Sequence, residues 1–421
     1  MRTARLPILG RRSPLRTHTT VLDIGSDTVK ALVVKREGDH GIVLGVNRVE
    51  QGGGSLGLAD SADLELIIEG CNAAIEGAED MADAIPARAV VGLAGPDVLG
   101  FTTTVSRTRR KGLDRVTPRE IDEHVALVQR RALREAQNLL ADSGGQDWES
   151  VRLVHSALAA IRVDGEVVSN PLHYQGERLD VSVFNAFAPA AQLEAIEAVA
   201  RELDLELVGT IAEPYAMARA AATPEALELG AIFIDVGGGH TNVAVVRQGA
   251  LETTRMVALG GHAFTRKLAS DLGVPPAQAE ALKRRHADGQ LSGEQRDRVH
   301  ASLAEAAEVL AQGVALILHQ VGQGGTLPAT VRLCGGGCLV PELIEQLTLL
   351  RWTEYLPFLQ TPVFTRLSPE ELPGIHDTTG LLASPADITP MGLAYQSVVQ
   401  EERQGDGLDA VVRRVSQAIG R

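Results

Sequence analysis

Aromatic residues are scarce, at 3% of the 421 residues, whereas hydrophobic residues as a whole make up 44%. Aliphatic side chains must therefore fill a core of ordinary size. A chain of this length is expected to contain roughly two to four domains or subdomains. The sequence has no uninterrupted apolar run near the ~20 residues that a membrane-spanning helix requires.

Cysteine is also rare, and the three present favour a reducing compartment over a disulfide framework. Cys334 and Cys338 flank a glycine-rich turn. A metal pair there would lack a partner cluster, so we expect small buried thiols.

Positive charge is in deficit, because the formal net charge is −14, and this argues against a general nucleic-acid-binding protein. The first twenty residues are the exception, with five arginines and no acidic residue. Their apolar stretch, 6–9, is too short for the core of a signal peptide. We expect a basic tail over 1–18, with a weak electrostatic membrane contact as the alternative.

Two acid-glycine turns lie 212 residues apart, and each follows an apolar run and precedes β-branched residues. They are Asp23-Ile24-Gly25-Ser26-Asp27-Thr28-Val29-Lys30 and Asp235-Val236-Gly237-Gly238-Gly239-His240-Thr241. One such turn would be weak evidence, since glycine-rich turns are common. The pair predicts two hairpins that face each other across a cleft and bind a polyphosphate.

Glycine allows backbone amides to approach phosphates closely, and hydroxyls and a lysine add further donors. Asp23 and Asp235 would hold Mg²⁺ mainly through its water ligands; for either one alone, a turn-capping carboxylate is the alternative. The candidate phosphate-binding residues of the two turns are Gly25, Ser26, Thr28, Lys30, Gly237, Gly238, Gly239 and Thr241.

Three further features extend this candidate site. Glu213 lies before Pro214 at a predicted strand-to-helix junction; with Asp235 it is a candidate catalytic residue that could orient an attacking water, and helix electrostatics is the alternative. Glu280 and Lys283 could hydrogen-bond ribose hydroxyls, or form a surface salt bridge. A glycine turn could let an adenosine approach the backbone: Gly335, Gly336 and Gly337.

The order of predicted elements repeats along the chain, which indicates two related α/β halves. The first half has strands over 19–23, 28–36, 41–46 and 87–94 with a helix over 61–84, and the second has strands over 231–235, 241–247, 250–257 and 330–334. Residues 96–181 form an inserted α+β subdomain, with a helix over 118–141 and strands over 151–162, 166–168 and 179–185. Residues 263–325 form a mostly helical insert.

After residue 400 the chain turns polar, and its last segment, 408–421, has apolar residues at helical spacing with Arg413 and Arg414 on another face. This pattern predicts an amphipathic helix that binds a membrane weakly and reversibly; a helix packed on the body is the alternative. The predicted membrane-facing residues are Leu408, Val411, Val412, Val415 and Ile419.

The sequence of phosphate turn, Glu-Pro, second phosphate turn and adenosine turn resembles the actin and sugar-kinase ATPase superfamily. Within it, residues 19–397 resemble the bacterial cell-division FtsA family. Three motifs match the subdomain 1C peculiar to that family: Val163-Asp164-Gly165, Asn170-Pro171 and Gly176-Glu177-Arg178-Leu179-Asp180-Val181.

The resemblance implies an actin-like two-domain ATPase fold with duplicated ribonuclease-H-like halves and an inserted α+β subdomain of the 1C type. It implies subdomains 1A (19–95 and 182–212), 1C (96–181), 2A (213–262 and 326–397) and 2B (263–325), a linker (398–407) and a terminal helix. FtsA-like proteins bind ATP with Mg²⁺, polymerise, and tether FtsZ to the inner membrane at the division site. The FtsZ C-terminal tail docks on subdomain 2B, and other division proteins are further partners.

One departure is that His240-Thr241-Asn242 replaces the usual Thr-Thr/Met-Asp, so any hydrolysis is expected to be slow and regulatory. Two other functions remain open. A scaffold like the pilus protein PilM would share the fold, although the 1C region matches FtsA better. A sugar-kinase-like phosphotransferase would need a catalytic base, and the sequence offers no candidate beyond Glu213 and Asp235.

Overall fold

The computed structural model describes residues 17–51, 61–110, 112, 114–142 and 150–402. The central strand of the first half, His18–Ile24, is buried at its five inner positions, although its apolar run is only Val21-Leu22. The elements of the first half are, in order, β1 (His18–Ile24), β2 (Thr28–Glu37), β3 (His40–Glu50), α1 (Ser61–Ala82), β4 (Arg88–Leu93), β5 (Leu99–Thr108), α2 (Pro118–Asp142), β6 (Val151–Val163), β7 (Glu166–Val167), β8 (Arg178–Pro189), α3 (Ala190–Glu202), β9 (Glu206–Ala212), α4 (Glu213–Ala221) and α5 (Pro224–Leu229).

The second half begins with a central strand that is buried at every position. Its elements are β10 (Ala231–Val236), β11 (Thr241–Arg247), β12 (Ala250–Val257), α6 (Gly261–Leu272), α7 (Pro276–Ala287), α8 (Gly293–Gly322), β13 (Thr330–Cys334), α9 (Pro341–Leu349), α10 (Trp352–Tyr355), β14 (Val363–Arg366), β15 (Ile375–Asp377) and α11 (Ile388–Glu402).

The two halves repeat one five-strand topology. In the first, β3, β2 and β1 are antiparallel neighbours, and β4 and β9 follow in parallel. In the second, β12, β11 and β10 are antiparallel neighbours, and β13 and β14 follow in parallel. The predicted fold class, a duplicated actin-like α/β fold, is confirmed.

The inserted segment extends the second half's sheet, because β5 pairs with β12 through Phe101 with Thr253 and Gly100 with Thr254. Strands β8, β6 and β7 then continue that sheet beyond β5. Helix α2 covers the strands, and its buried residues Ile121 and Val125 pack with Val181 of β8. Strand β8 runs unbroken through residues 181 and 182, between which the sequence analysis divided two subdomains; those subdomain bounds remain a prediction.

Strand β5 was not predicted from the sequence. Its sequence, LGFTTTVSRT, is rich in threonine, and its outer end is exposed, so its apolar content is low. Gly100 stands where β5 meets β12, and a Cβ there would lie 2.4 Å from Thr254 Oγ1. The absence of a side chain therefore lets the insert join the larger sheet.

Helix α8 is long and apolar enough to span a membrane by length and composition alone, whereas the sequence predicted no such segment. It packs against α6, α7, α9 and β12. Its residues Leu303, Leu310 and Leu318 lie in the core of the second half. The apolar composition of this helix thus has an explanation within the folded protein, since residues buried in a core and residues facing lipid are equally apolar.

Candidate functional site

The two acid-glycine turns have the same backbone geometry. The Gly25 amide donates to the carbonyl of Thr28 over 3.1 Å, and the Gly237 amide donates to the carbonyl of His240 over 3.0 Å. Each turn closes the hairpin between a central strand and its antiparallel neighbour. The 212-residue spacing therefore corresponds to a structural repeat.

The turns face each other across a narrow cleft. A Cβ on Gly238 would lie 2.5 Å from Asp27 Oδ2, and one on Gly239 would lie 3.1 Å from Ser26 Oγ. Asp27 also contacts the imidazole of His262, at the start of α6. Backbone of the second turn and the Ser26 and Asp27 side chains of the first thus border one space, and a polyphosphate bound there remains a prediction.

Three carboxyl groups lie buried at the base of this cleft: Asp23, Glu213 and Asp235 are 6%, 8% and 7% exposed. Lys30 lies beside them, with Nζ 3.4 Å from Asp23 Oδ2, and it donates to the carbonyl of Ala386 over 2.6 Å. Among the described residues, Lys30 is the cation whose charge lowers the pKa of both Glu213 and Asp235. Negative charge therefore predominates in a buried space.

The buried carboxyl groups affect one another electrostatically. Burial raises the pKa of Glu213 well above its ordinary value, and the nearby charges of Asp23 and Asp235 raise it further. Burial also raises the pKa of Asp235, although a hydrogen bond from the Thr389 hydroxyl, 2.9 Å from Oδ2, opposes the shift. A divalent cation would relieve this repulsion, and carboxylate oxygens are ligands that suit Mg²⁺. The residues present therefore fit the predicted ion.

Glu213 lies where the sequence analysis placed it, since β9 ends at Ala212 and α4 begins at Glu213. Its neighbours hold it closely: a Cβ on Gly92 would lie 2.9 Å from Glu213 Oε1. Helix α4 in turn packs against α11, where a Cβ on Gly392 would meet the backbone of Ala216 at 2.8 Å. The carboxyl group is thus fixed by rigid elements of both halves.

The third glycine turn contacts the second phosphate turn directly. Gly335 has a φ of 80°, and a Cβ there would lie 2.3 Å from Asp235 Oδ1 and 2.4 Å from the carbonyl oxygen of Val236. Gly337 packs equally closely, with Val236 Cγ1 at 2.4 Å from its Cβ position. Gly336 differs, because its nearest neighbour there is Ala386 Cβ at 4.0 Å. Of the three, Gly336 leaves room for a ligand.

Glu280 and Lys283 form an ion pair over 2.7 Å. Lys283 Nζ also donates to the carbonyl of Gly261 over 3.0 Å and to the hydroxyl of Thr265 over 2.9 Å. Burial alone would raise the pKa of Glu280, but hydrogen bonds from Lys283 and Thr265 lower it to about 2. The pair connects α7 to α6 beside the second phosphate turn, and its contact with a ribose remains a prediction.

Thr241 is fully buried, and its hydroxyl donates to the carbonyl of Leu259 over 2.8 Å. In this structure it therefore braces the turn from behind. His240 precedes it at the position equivalent to Thr28, and burial lowers the pKa of its imidazole. The predicted membrane-facing residues, 408–421, lie outside the described residues.

Three contacts at this site were not predicted from the sequence. Asp27 lay within the recognised first turn, but nothing in the sequence predicted its contact with His262, 235 residues away. Thr389 and the carbonyl of Ala386 reach the site from the segment that precedes and begins α11. A threonine and an alanine carry no sequence signal of such a role, so only the folded structure shows that they lie at this site.

Comparison with known proteins gives one family match. The family model described as cell division protein FtsA matches residues 232–350. FtsA of Agrobacterium fabrum is 28% identical over 308 residues, which cover 70% of this chain and 66% of that protein, just under two thirds of its length. FtsA of Streptococcus pneumoniae is 25% identical over 419 residues, covering 91% of this chain and 87% of that protein. The resemblance to FtsA is confirmed.

Solved structures confirm the fold. A chain of the PilM-PilN type IV pilus biogenesis complex superposes with a TM-score of 0.62 at 17% identity, covering 90% of this chain and 98% of that one. The nucleotide-free diol dehydratase-reactivating factor gives a TM-score of 0.50 at 12% identity, covering 91% and 100%. At these identities the likeness concerns the fold alone.

Proposed function

We propose that this chain is an FtsA-like division protein that binds Mg-ATP, assembles into actin-like filaments and tethers FtsZ to the cytoplasmic membrane. One observation carries the nucleotide part: two glycine turns of identical hydrogen-bond pattern face each other above a buried group of three carboxyl groups and one lysine. Phosphates need amide donors and their magnesium needs oxygen ligands, and this cleft offers both.

Each residue has a defined part in this proposal. The amides of Gly238 and Gly239 and the Ser26 and Thr28 hydroxyls hold the phosphates, and Lys30 adds positive charge, whereas the amides of Gly25 and Gly237 close their own turns. Asp23 and Asp235 would hold the magnesium, mainly through its water ligands, and the ion would neutralise phosphate charge. Glu213, buried beside both aspartates, would accept a hydrogen bond from water near the terminal phosphate once a bound cation offsets the charges that raise its pKa; any hydrolysis would be slow.

The Asp27–His262 contact joins the first half to the start of α6 across the mouth of the cleft. Both side chains are partly exposed, so the contact is weak, on the order of 0–1 kcal/mol. Phosphates entering between the turns would displace Asp27 from Gly238, because like charges repel. Bound nucleotide would thereby change the relative orientation of the two halves. Contacts between subunits of a filament could depend on that orientation.

The FtsZ-binding part of the proposal rests on the FtsA resemblance and on the surface of α8, in predicted subdomain 2B. Val309 and Leu316 are exposed on this helix, at 54% and 69%, and a spacing of seven places them on one face. Apolar side chains exposed on one helix face can receive an apolar peptide. The membrane part rests on the sequence of 408–421 alone.

A labelled C-terminal FtsZ peptide from the same organism, titrated with the full chain by fluorescence anisotropy, tests the adaptor function. Deleting 263–325 would remove core residues, so Val309→Asp with Leu316→Asp is the better variant. We expect micromolar-range binding that falls at least about tenfold in this variant. The control is Leu66→Asp, an equally exposed leucine on α1.

Absent peptide binding, with Mg-ATP binding intact, would contradict the FtsZ assignment. It would leave an actin-like scaffold of another machine, such as one that resembles PilM. Rapid phosphoryl transfer to a small hydroxylated substrate in a coupled assay would instead support the phosphotransferase alternative.

A further inference from the structure

Three helices of the second half, α7, α8 and α9, bring two imidazoles and a carboxylate together. Nε2 of His286, near the end of α7, lies 2.6 Å from Glu342 Oε1 in the first turn of α9. Nδ1 of His300, on α8, lies 2.7 Å from the same oxygen. The potential ligand atoms of all three residues lie within 4.8 Å of one another.

We propose that His286, His300 and Glu342 form a site for a divalent transition-metal cation of the Zn²⁺ class. Two imidazole nitrogens and one carboxylate oxygen are a donor set that Zn²⁺ accepts with water in a fourth position. His300 is half exposed, which leaves that position open to solvent. Magnesium is disfavoured here, because it prefers an octahedron of oxygen ligands.

The burial of Glu342 supports a ligand role. Its side chain has no exposed surface, and among the described residues its Oε2 has no hydrogen-bond partner. Both imidazoles converge on Oε1 instead of dividing between the two oxygens. A buried carboxylate oxygen without a partner is destabilising, and a cation bound at this point would interact with both oxygens.

The alternative is a buried ion pair in which the imidazoles only neutralise Glu342. Tetrahedral bonds of 2.0–2.2 Å place ligand atoms about 3.3 Å apart, whereas the two imidazole nitrogens lie 2.6 and 2.7 Å from the carboxylate oxygen. A cation would therefore require these atoms to separate by roughly half an ångström, which small side-chain rotations allow. In the ion-pair reading, no metal should bind at all.

A bound cation would connect three helices that otherwise meet through side-chain packing. Helix α7 also carries Glu280 and Lys283, which contact α6 beside the second phosphate turn. Helix α9 follows directly after the third glycine turn. A bound metal would thus stabilise two helices beside the proposed nucleotide cleft, although the metal itself would lie outside the cleft.

The experiment is a calorimetric titration of Zn²⁺ into the full chain after chelator treatment, without nucleotide. We expect one ion per chain, and a loss of affinity of at least about tenfold in His300→Gln and in Glu342→Gln. His319→Gln, an exposed histidine farther along α8, is the matched control and should bind as the wild type does. Co²⁺ in place of Zn²⁺ should give the visible absorption of a tetrahedral site.

His300 is half exposed, so its replacement is expected to leave the chain folded, which far-ultraviolet circular dichroism checks. Wild-type protein that binds no Zn²⁺, or His300→Gln that binds it with unchanged affinity, overturns the proposal. The readout requires neither ATP nor FtsZ, so failure of this site and failure of the proposed function are distinguishable.

Discussion

Lys30 and Asn242 occupy equivalent positions in the two halves, each opposite the aspartate of its own turn. The first half thus supplies a positive charge, whereas the second supplies a neutral, buried amide. Asp23 has Lys30 as its partner, while Asp235 accepts a hydrogen bond from Thr389 and packs against Gly335. In the proposed function the two copies of this backbone therefore differ: the first turn would attract phosphate, and the second holds its aspartate in place through Thr389 and Gly335.

The largest effect is expected from a substitution that disrupts the packing of Gly335 against the second turn. Gly335→Ala would force a residue with φ of 80° against Asp235 Oδ1 and a backbone carbonyl. We expect a loss of about 3 kcal/mol in the free energy of unfolding, because strain and overpacking both act. Urea unfolding measures it.

Gly336→Ala is the matched control for that variant, since the nearest atom to its Cβ position in the described part of the chain lies 4.0 Å away. It should remain within about 0.5 kcal/mol of the wild type. Equal unfolding midpoints for the two variants would contradict the packing described for this turn.

The next effect removes the charge that distinguishes the first turn. In Lys30→Met the three carboxyl groups lose their nearby cation, and phosphate loses a charge-assisted partner. We expect Mg-ATP affinity to fall about 10- to 100-fold by calorimetry. Lys35→Met, on the same strand but exposed and paired with Glu37, is the control. An unchanged affinity in Lys30→Met would mean that the halves do not differ in the way described.

The smallest effect concerns pH. The folded-state pKa of Glu213 is raised above its ordinary value of 4.5, so the folded protein holds this proton more tightly than the unfolded chain. The resulting stability is present below about pH 4.5 and is lost as the pH rises through the folded-state pKa. In Glu213→Gln this loss disappears, and the variant should gain on the order of 1 kcal/mol relative to wild type between pH 5 and 8.

Urea midpoints at both pH values, without nucleotide or Mg²⁺, measure that difference. The control is Glu206→Gln, an exposed residue on β9. A difference between Glu213→Gln and wild type that does not change with pH would show that this carboxyl group is not desolvated.

Local patterns were sufficient to predict much of this architecture. The apolar runs before Asp23 and Asp235 predicted the central strands, and the repeated order of strands predicted the duplication. Strand β5 escaped because threonines give it neither a continuous apolar run nor a clean alternation. Its strand character depends on pairing with β12 and β8, which are distant in sequence.

The same distinction applies to the candidate site. The spacing of the glycines was enough to predict residues within a turn, such as Gly25 or Gly237. Thr389 and His262 did not, because their roles arise from contacts with Asp235 and Asp27 across more than a hundred residues. Thr241 was recognised by motif, but only the fold shows its hydroxyl directed to Leu259.

The central claim is that both halves share one magnesium-dependent nucleotide site. The most direct measurement is a calorimetric titration of ATP into wild type, Asp23→Asn and Asp235→Asn, each with Mg²⁺ and with a chelator, and with the exposed Asp39→Asn as control. We predict that each of the first two variants loses at least about tenfold in affinity with Mg²⁺, and loses nothing in chelator, where a carboxylate only repels phosphate. Wild-type affinity in either variant with Mg²⁺ would contradict a site shared by the two halves.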